Sequence, residues 1–217
     1  MATRFYAKWS GGPVSVTFDA GWDLTDRANL GQLTIDTPAL TGSSYVNDTD
    51  TVNGPGAYCL QQLISEPLDA ISATFPVSKG AFQAKESNAK LNGYTRIVFR
   101  KCDEDGSNPV TIGTITDDVE WNSVTTNRFV GASNLTDQAL SQGDRLVVEI
   151  GFYSDTTKNT GYEGEILIFD GSDTDLPEDN TTTAAYNSWI ETGDTFTVAS
   201  GDPPWEVVKL GPMFAFA

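Results

Sequence analysis

The sequence predicts an all-β chain, an antiparallel β-sandwich or barrel with long loops, on three observations. Apolar and polar residues alternate along several short runs; Gly, Asn, Asp and Pro cluster between those runs; and no long stretch of helical periodicity separates them. Strands broken by short turns indicate a sandwich or barrel rather than a parallel α/β sheet. At 217 residues the chain can bury one core without a disulfide or a metal.

Taken in chain order, Val14, Val16 and Phe18 alternate with Ser15, Thr17 and Asp19, the period of a half-buried strand. Residues 38–56, rich in Thr, Ser, Asn, Asp and Gly, read as a long surface loop. Weaker strand patterns follow at 57–64, 68–75 and 81–85. Over 94–101, Ile97 and Phe99 point one way and Arg96 and Arg100 the other. Further strands are expected at 110–115 and 127–130, with a short helical turn at most near 136–141 or 182–188. Leu146, Val148, Ile150 and Phe152 give the clearest alternation. Around Ile166 and Ile168 both faces are apolar, because Leu167 and Phe169 fill the other one; such a strand belongs at the centre of a sheet or under a second layer. Residues 170–187 read as a second long loop, acidic and Thr-rich, and both long loops are candidates for contact between subunits. Residues 195–198 and 205–210 are strand-like, and 211–217 form an apolar tail that either returns to the core or docks on a neighbour. This divides the chain into a β-sandwich domain over 1–190 and an extension over 191–217 with a further strand and the tail.

Charge and composition narrow the function. Thirteen Lys and Arg stand against thirty Asp and Glu, a formal charge of −17. Nucleic acid and anionic membrane both rely on basic patches, so neither is an expected partner. The chain has no histidine, which removes Ser-His-Asp and Cys-His catalysis and the commonest metal ligand. Cys59 and Cys102 match no zinc or redox spacing and fall in apolar runs, so buried free thiols are the expectation, with a disulfide between them as the alternative. The first residues lack a signal-peptide pattern, and no run approaches the ~18 apolar residues of a membrane span. Synthesis in a host cytoplasm is the expectation.

Three patterns carry possible chemistry. Asp170-Gly171-Ser172-Asp173-Thr174-Asp175-Leu176-Pro177-Glu178-Asp179 offers oxygens to a hard cation, and Asn47, Asp48, Asp50 and Asn53 form a looser set. Neither follows the EF-hand ligand order, and solvated acidic turns are the simpler reading. A glycosidase needs two facing carboxylates, but thirty acids guarantee many pairs by chance. Trp9, Trp22, Trp121, Trp189 and Trp205 could stack on sugars, although aromatics are also ordinary strand and interface residues. No catalytic residue, cofactor site or metal ligand is assigned, and the chain is expected not to be an enzyme.

Several blocks stand out together: Thr3-Arg4-Phe5-Tyr6, Pro13-Val14, Phe18-Asp19-Ala20-Gly21-Trp22, Leu63-Ile64-Ser65-Glu66-Pro67-Leu68 and Lys85-Glu86-Ser87-Asn88-Ala89, followed by Gly143 to Gly151, Asp175-Leu176-Pro177-Glu178-Asp179 and Asn187-Ser188-Trp189-Ile190. In these blocks the chain resembles a family of small virion structural proteins of tailed bacteriophages and prophages. The resemblance spans roughly residues 3–190 and encodes no catalytic motif. It implies a virion component of jelly-roll-like β character. A capsid decoration (cement) protein fits best: a homotrimer that binds the major capsid protein on the capsid exterior and strengthens the head shell. A tail or fibre component that binds host glycans is the alternative.

Overall fold

The computed structural model describes residues 2–8, 31–35, 45–52, 54–155, 161–169, 174–180 and 186–199. Every regular element among them is a strand, so the all-β expectation holds. In chain order the strands are β1 (Thr3–Lys8), β2 (Gly31–Thr34), β3 (Tyr45–Val52), β4 (Gly56–Ser65), β5 (Ile71–Ala73), β6 (Ser78–Glu86) and β7 (Gly93–Cys102). They continue with β8 (Val110–Glu120), β9 (Thr126–Ser133), β10 (Gln138–Leu140), β11 (Arg145–Ser154), β12 (Tyr162–Phe169) and β13 (Trp189–Thr192).

Eleven of them form one curled sheet in the order β3-β12-β6-β13-β1-β2-β4-β11-β7-β8, with β9 on the other edge of β6. Its pairings are antiparallel except β2 with β4, which makes the sheet mixed. β5 and β10 form a separate two-stranded ribbon. Curling brings the two ends of the strand path face to face. Leu146, Val148, Ile150 and Phe152 of β11 and Ile97 and Phe99 of β7 share one core with Phe82 and Ala84 of β6 and Ile166 and Ile168 of β12.

Two glycines allow this close approach. A Cβ on Gly164 of β12 would lie 2.3 Å from the Phe152 ring of β11. One on Gly80 of β6 would lie 2.5 Å from Ile190 and 3.1 Å from Ile97. Gly164→Ala is therefore expected to destabilise the protein by about 1–3 kcal/mol through overpacking, readable by urea denaturation. A stability change within 0.5 kcal/mol of zero would mean that the layers are not in contact there.

Three expectations are corrected. Residues 45–52 are not loop but β3, paired with β12 along its whole length from Tyr45↔Phe169 to Val52↔Tyr162. The run reads as polar because β3 ends the strand path, and an edge strand tolerates polar residues while Tyr, Val and Thr still favour extended backbone. Residues 138–140 are β10 rather than a helical turn, with Leu140 buried in the core opposite Ile71. At 186–188 the chain is extended, with Asn187 bridged to Asp175; residues 181–185 lie outside the described set.

Residues 191–199 run straight on from β13. Phe196 packs between Phe5 and Phe75, with ring centroids 5.7 and 5.9 Å away. Its amide donates to Thr3 Oγ1 at 2.7 Å, and Val198 bridges Leu68. Phe75 itself sits at φ 44, the left-handed region that a bulky residue avoids. Asp194 Oδ2 holds it there by accepting the Phe75 N–H at 2.7 Å. The strand patterns at 14–18 and 205–210 and the tail 211–217 lie outside the described residues.

Candidate functional site

The densest cluster of polar and aromatic groups lies on the outer face of β1, β13, β6 and β9. Cross-strand register builds it in two rows. Tyr6, Trp189, Ala81 and Phe129 are successive partners in the first, and Arg4, Glu191 and Lys79 in the second. Alternation explains the segregation, since Phe5 and Ala7 of β1 and Ile190 of β13 point into the main core while their neighbours point out.

Residues 174–180 close over these rows. Leu176 joins Tyr6, Ala81 and Trp189 in a second, smaller apolar cluster, flanked by Phe129 and Tyr186. Backbone bonds hold the loop down. Trp189 Nε1 donates to the Leu176 carbonyl at 2.8 Å, Asn127 Nδ2 donates to the carbonyls of Pro177 and Asp179, and the Phe129 N–H donates to Asn180 Oδ1 at 2.7 Å. Glu178 and Asp179 stay exposed, but two acids of this stretch are engaged by side chains of the sheet. Asp175 Oδ2 accepts from Arg4 at 2.7 Å and from the Tyr6 hydroxyl at 2.9 Å, and Glu178 takes Lys79 at 2.5 Å. Glu191 bridges the two cations, 2.8 Å from Arg4 and 3.1 Å from Lys79. The Arg4 guanidinium also lies 3.9 Å over the Trp189 ring.

Burial works against the charges of Arg4 and Lys79, but their bonds to Asp175, Glu178 and Glu191 outweigh it and hold both pKa values above the ordinary range. Tyr6 is pushed up to about 12, by burial first and by Asp175 second. With both cations engaged, this network binds its own loop.

Two further polar clusters are buried. On the face of β11 turned away from the core, Glu149 is fully buried and accepts from Gln62 Nε2 at 2.7 Å and Arg100 Nε at 2.9 Å. Where β6, β8 and β9 meet, Glu86 and Arg128 are both 1% exposed, near Glu120 and Asp117. Sequence reasoning missed both. For Glu149 a signal existed, a lone charge between Val148 and Ile150 in the most apolar strand; Arg128 follows a polar Thr-Asn pair and carries none.

The other sequence candidates are placed as follows. Trp121 and Trp189 are buried at 1% and 2% exposure, so neither ring is open to a sugar; Trp9, Trp22 and Trp205 lie outside the described residues. Asn47, Asp48 and Asp50 lie along β3, and Asn53 and residues 170–173 are not described. Among the described residues no three His, Cys, Asp or Glu side chains converge as metal ligands. Cys59 and Cys102 are buried free thiols, and burial pushes Cys102 up to about 11. A core cavity bounded by Phe5, Leu33, Leu63, Ile150 and Trp189 holds about 10 Å³, room for a single water and not for a substrate.

No family model matches the chain, and no curated protein does. Solved structures do. The chain is similar to an aminopeptidase from the marine sediment archaeon Thaumarchaeota archaeon, with a TM-score of 0.54 at 11% identity over 88% of this chain and 36% of that one. It is also similar to an α-amino acid ester hydrolase (TM-score 0.48, 8% identity) and to a CocE/NonD family hydrolase from Staphylococcus aureus (0.46, 8%), with the same shares covered. The chain thus spans about 36% of the length of each of these structures.

The likeness to the archaeal aminopeptidase overturns the expectation that the chain is not an enzyme, because there the shared fold is part of an enzyme. Alternation and turn chemistry predict a scaffold, and a scaffold does not decide what chemistry is mounted on it. The lack of histidine removed one set of catalytic groups and no more. At 11% identity, what is shared with part of the archaeal aminopeptidase is the fold.

Proposed function

We infer that this chain is a building block of a tailed-phage virion, attached to the outer head shell through the major capsid protein and through further copies of itself. The observation that carries this reading is the pair of sheet ends. β3 and β8, eight and eleven residues long, end the strand path; among the described residues the outer edge of β3 is free, and β8 gives up one carbonyl, that of Ile112, to the Thr136 N–H. A free edge offers unpaired N–H and C=O groups to another strand, the simplest way for copies of a β protein to join. The formal charge of −17 supports the same reading, since it keeps separate copies apart in solution until a shell surface binds them. So do the blocks between residues 3 and 190 that resemble virion proteins.

Electron microscopy of virions carrying the labelled chain tests the assignment, with light scattering for the mass in solution. Label on the head exterior and a trimeric mass are expected. Label confined to the tail would replace it with the tail or fibre reading, and particles without label would end both. The likeness to an aminopeptidase favours a second reading, in which the chain is the β portion of a hydrolase. Release of p-nitroaniline from aminoacyl anilides by the purified chain would establish that reading instead.

A further inference from the structure

Where β6, β8 and β9 meet, three charged side chains pack without a full set of partners. Glu86 ends β6, and its carboxyl receives one long bond, from the Gly93 N–H at 3.4 Å. Arg128 of β9 donates through Nη2 to the main-chain carbonyl of Glu120, while its buried Nε has no partner. Among the described residues Arg128 is in no ion pair. Asp117 of β8 accepts the Val119 N–H at 3.0 Å through Oδ1, and its Oδ2 is buried and unpartnered. The charges facing Glu86 are Glu120 from β8, Arg128 from β9 and the Tyr94 hydroxyl from β7. On β12, which pairs with β6, Glu163 and Glu165 flank the Gly164 partner of Glu86, and Glu165 is tied to Lys85 at 2.9 Å.

We propose that this junction is a proton-operated latch, in which protonated Glu86 keeps the turn between β8 and β9 packed and loss of the proton releases it. A neutral carboxyl adds no charge beside Glu120. An ionised one places a carboxylate in a dry site beside the exposed Glu120, with the guanidinium of Arg128 bonded to a carbonyl instead of to it. The turn it would free is anchored close by. The Asn122 carbonyl accepts the Glu86 N–H at 2.8 Å, Trp121 Nε1 bonds Thr95 at 2.9 Å, and Val124 is already 65% exposed. Burial, with Glu120 adding to it against the pull of Gly93 and Arg128, raises Glu86 from 4.5 to about 7. The folded chain therefore keeps a proton that the unfolded chain gives up. The stability held below the ordinary glutamate range is lost as pH rises towards 7.

Hydrogen exchange on the intact chain at pH 5.5 and 8.5, normalised to intrinsic rates, tests the latch. Peptides covering 115–130 should lose protection by about tenfold or more at the higher pH relative to β4 and β11. The loss should vanish in Glu86→Gln, which keeps the shape and removes the charge. Equal pH dependence in the variant, or no selective loss in the original, would overturn the proposal. Should the variant fail to fold, carbon NMR titration of the Glu86 carboxyl decides, since a midpoint near 4.5 is incompatible with a latch.

Discussion

Trp189→Ala is expected to remove about 3–5 kcal/mol of stability, the range for emptying a large buried aromatic site. The ring lies at the centre of the outer cluster, between Tyr6 and Ala81 on the neighbouring strands, 6.3 Å from Phe129 and beneath Arg4. Its loss also leaves the Leu176 carbonyl without a donor and Arg4 without the ring beneath it. The 174–180 loop should then be cut by protease before the rest of the chain, while Trp189→Phe should recover most of the packing but not that bond. Urea denaturation with limited proteolysis reads both effects. Loop cleavage no faster than in the original protein would mean that the ion pairs and the bonds of Asn127 and Asn180 hold the loop down without the ring.

Arg100→Met should be comparably damaging, at about 3–5 kcal/mol, because it strands a buried negative charge. Glu149 is fully buried and has two partners, and Gln62 alone cannot balance a carboxylate. Converting both residues, Arg100→Met with Glu149→Met, should cost far less than Arg100→Met alone, since no charge is then left in the interior. A double-mutant cycle measures the difference. Additivity of the two changes would show that the 2.9 Å contact couples the pair weakly.

Sequence patterning found the strands whose two faces differ or are wholly apolar. β7 and β11 were legible because Ile97 and Phe99, and Leu146 to Phe152, recur at every second position, and β12 because 166–169 is apolar on both faces. β1 and β13 were not read as strands, although their residues drew notice for other reasons. In Thr3-Arg4-Phe5-Tyr6-Ala7-Lys8 the outward positions are a charge and an aromatic, buried only because a loop far along the chain covers them. Local pattern carries no trace of such cover. β3 was hidden for the opposite reason, as an edge strand whose composition is that of a loop. The outer cluster was half legible: Asp175 and Glu178 were singled out, as a solvated acidic turn or a cation site, whereas Arg4 and Lys79 supply positive charge from within. The partners of an acidic stretch are chosen by tertiary contact and not by spacing.

The pairing of β1 with β13 has a kinetic consequence. Thr3 meets Thr192 and Tyr6 meets Trp189, so the opening strand finds a neighbour almost a full chain length away. Closing so large a loop yields no reward until both segments are present, which puts this protein among slow, milliseconds-to-seconds folders. On a ribosome adding about 5–20 residues per second, Phe5 would wait roughly ten seconds or more for Ile190 to emerge. Throughout that interval the nascent chain would carry an unpaired β1, with Phe5 and Ala7 in need of shelter.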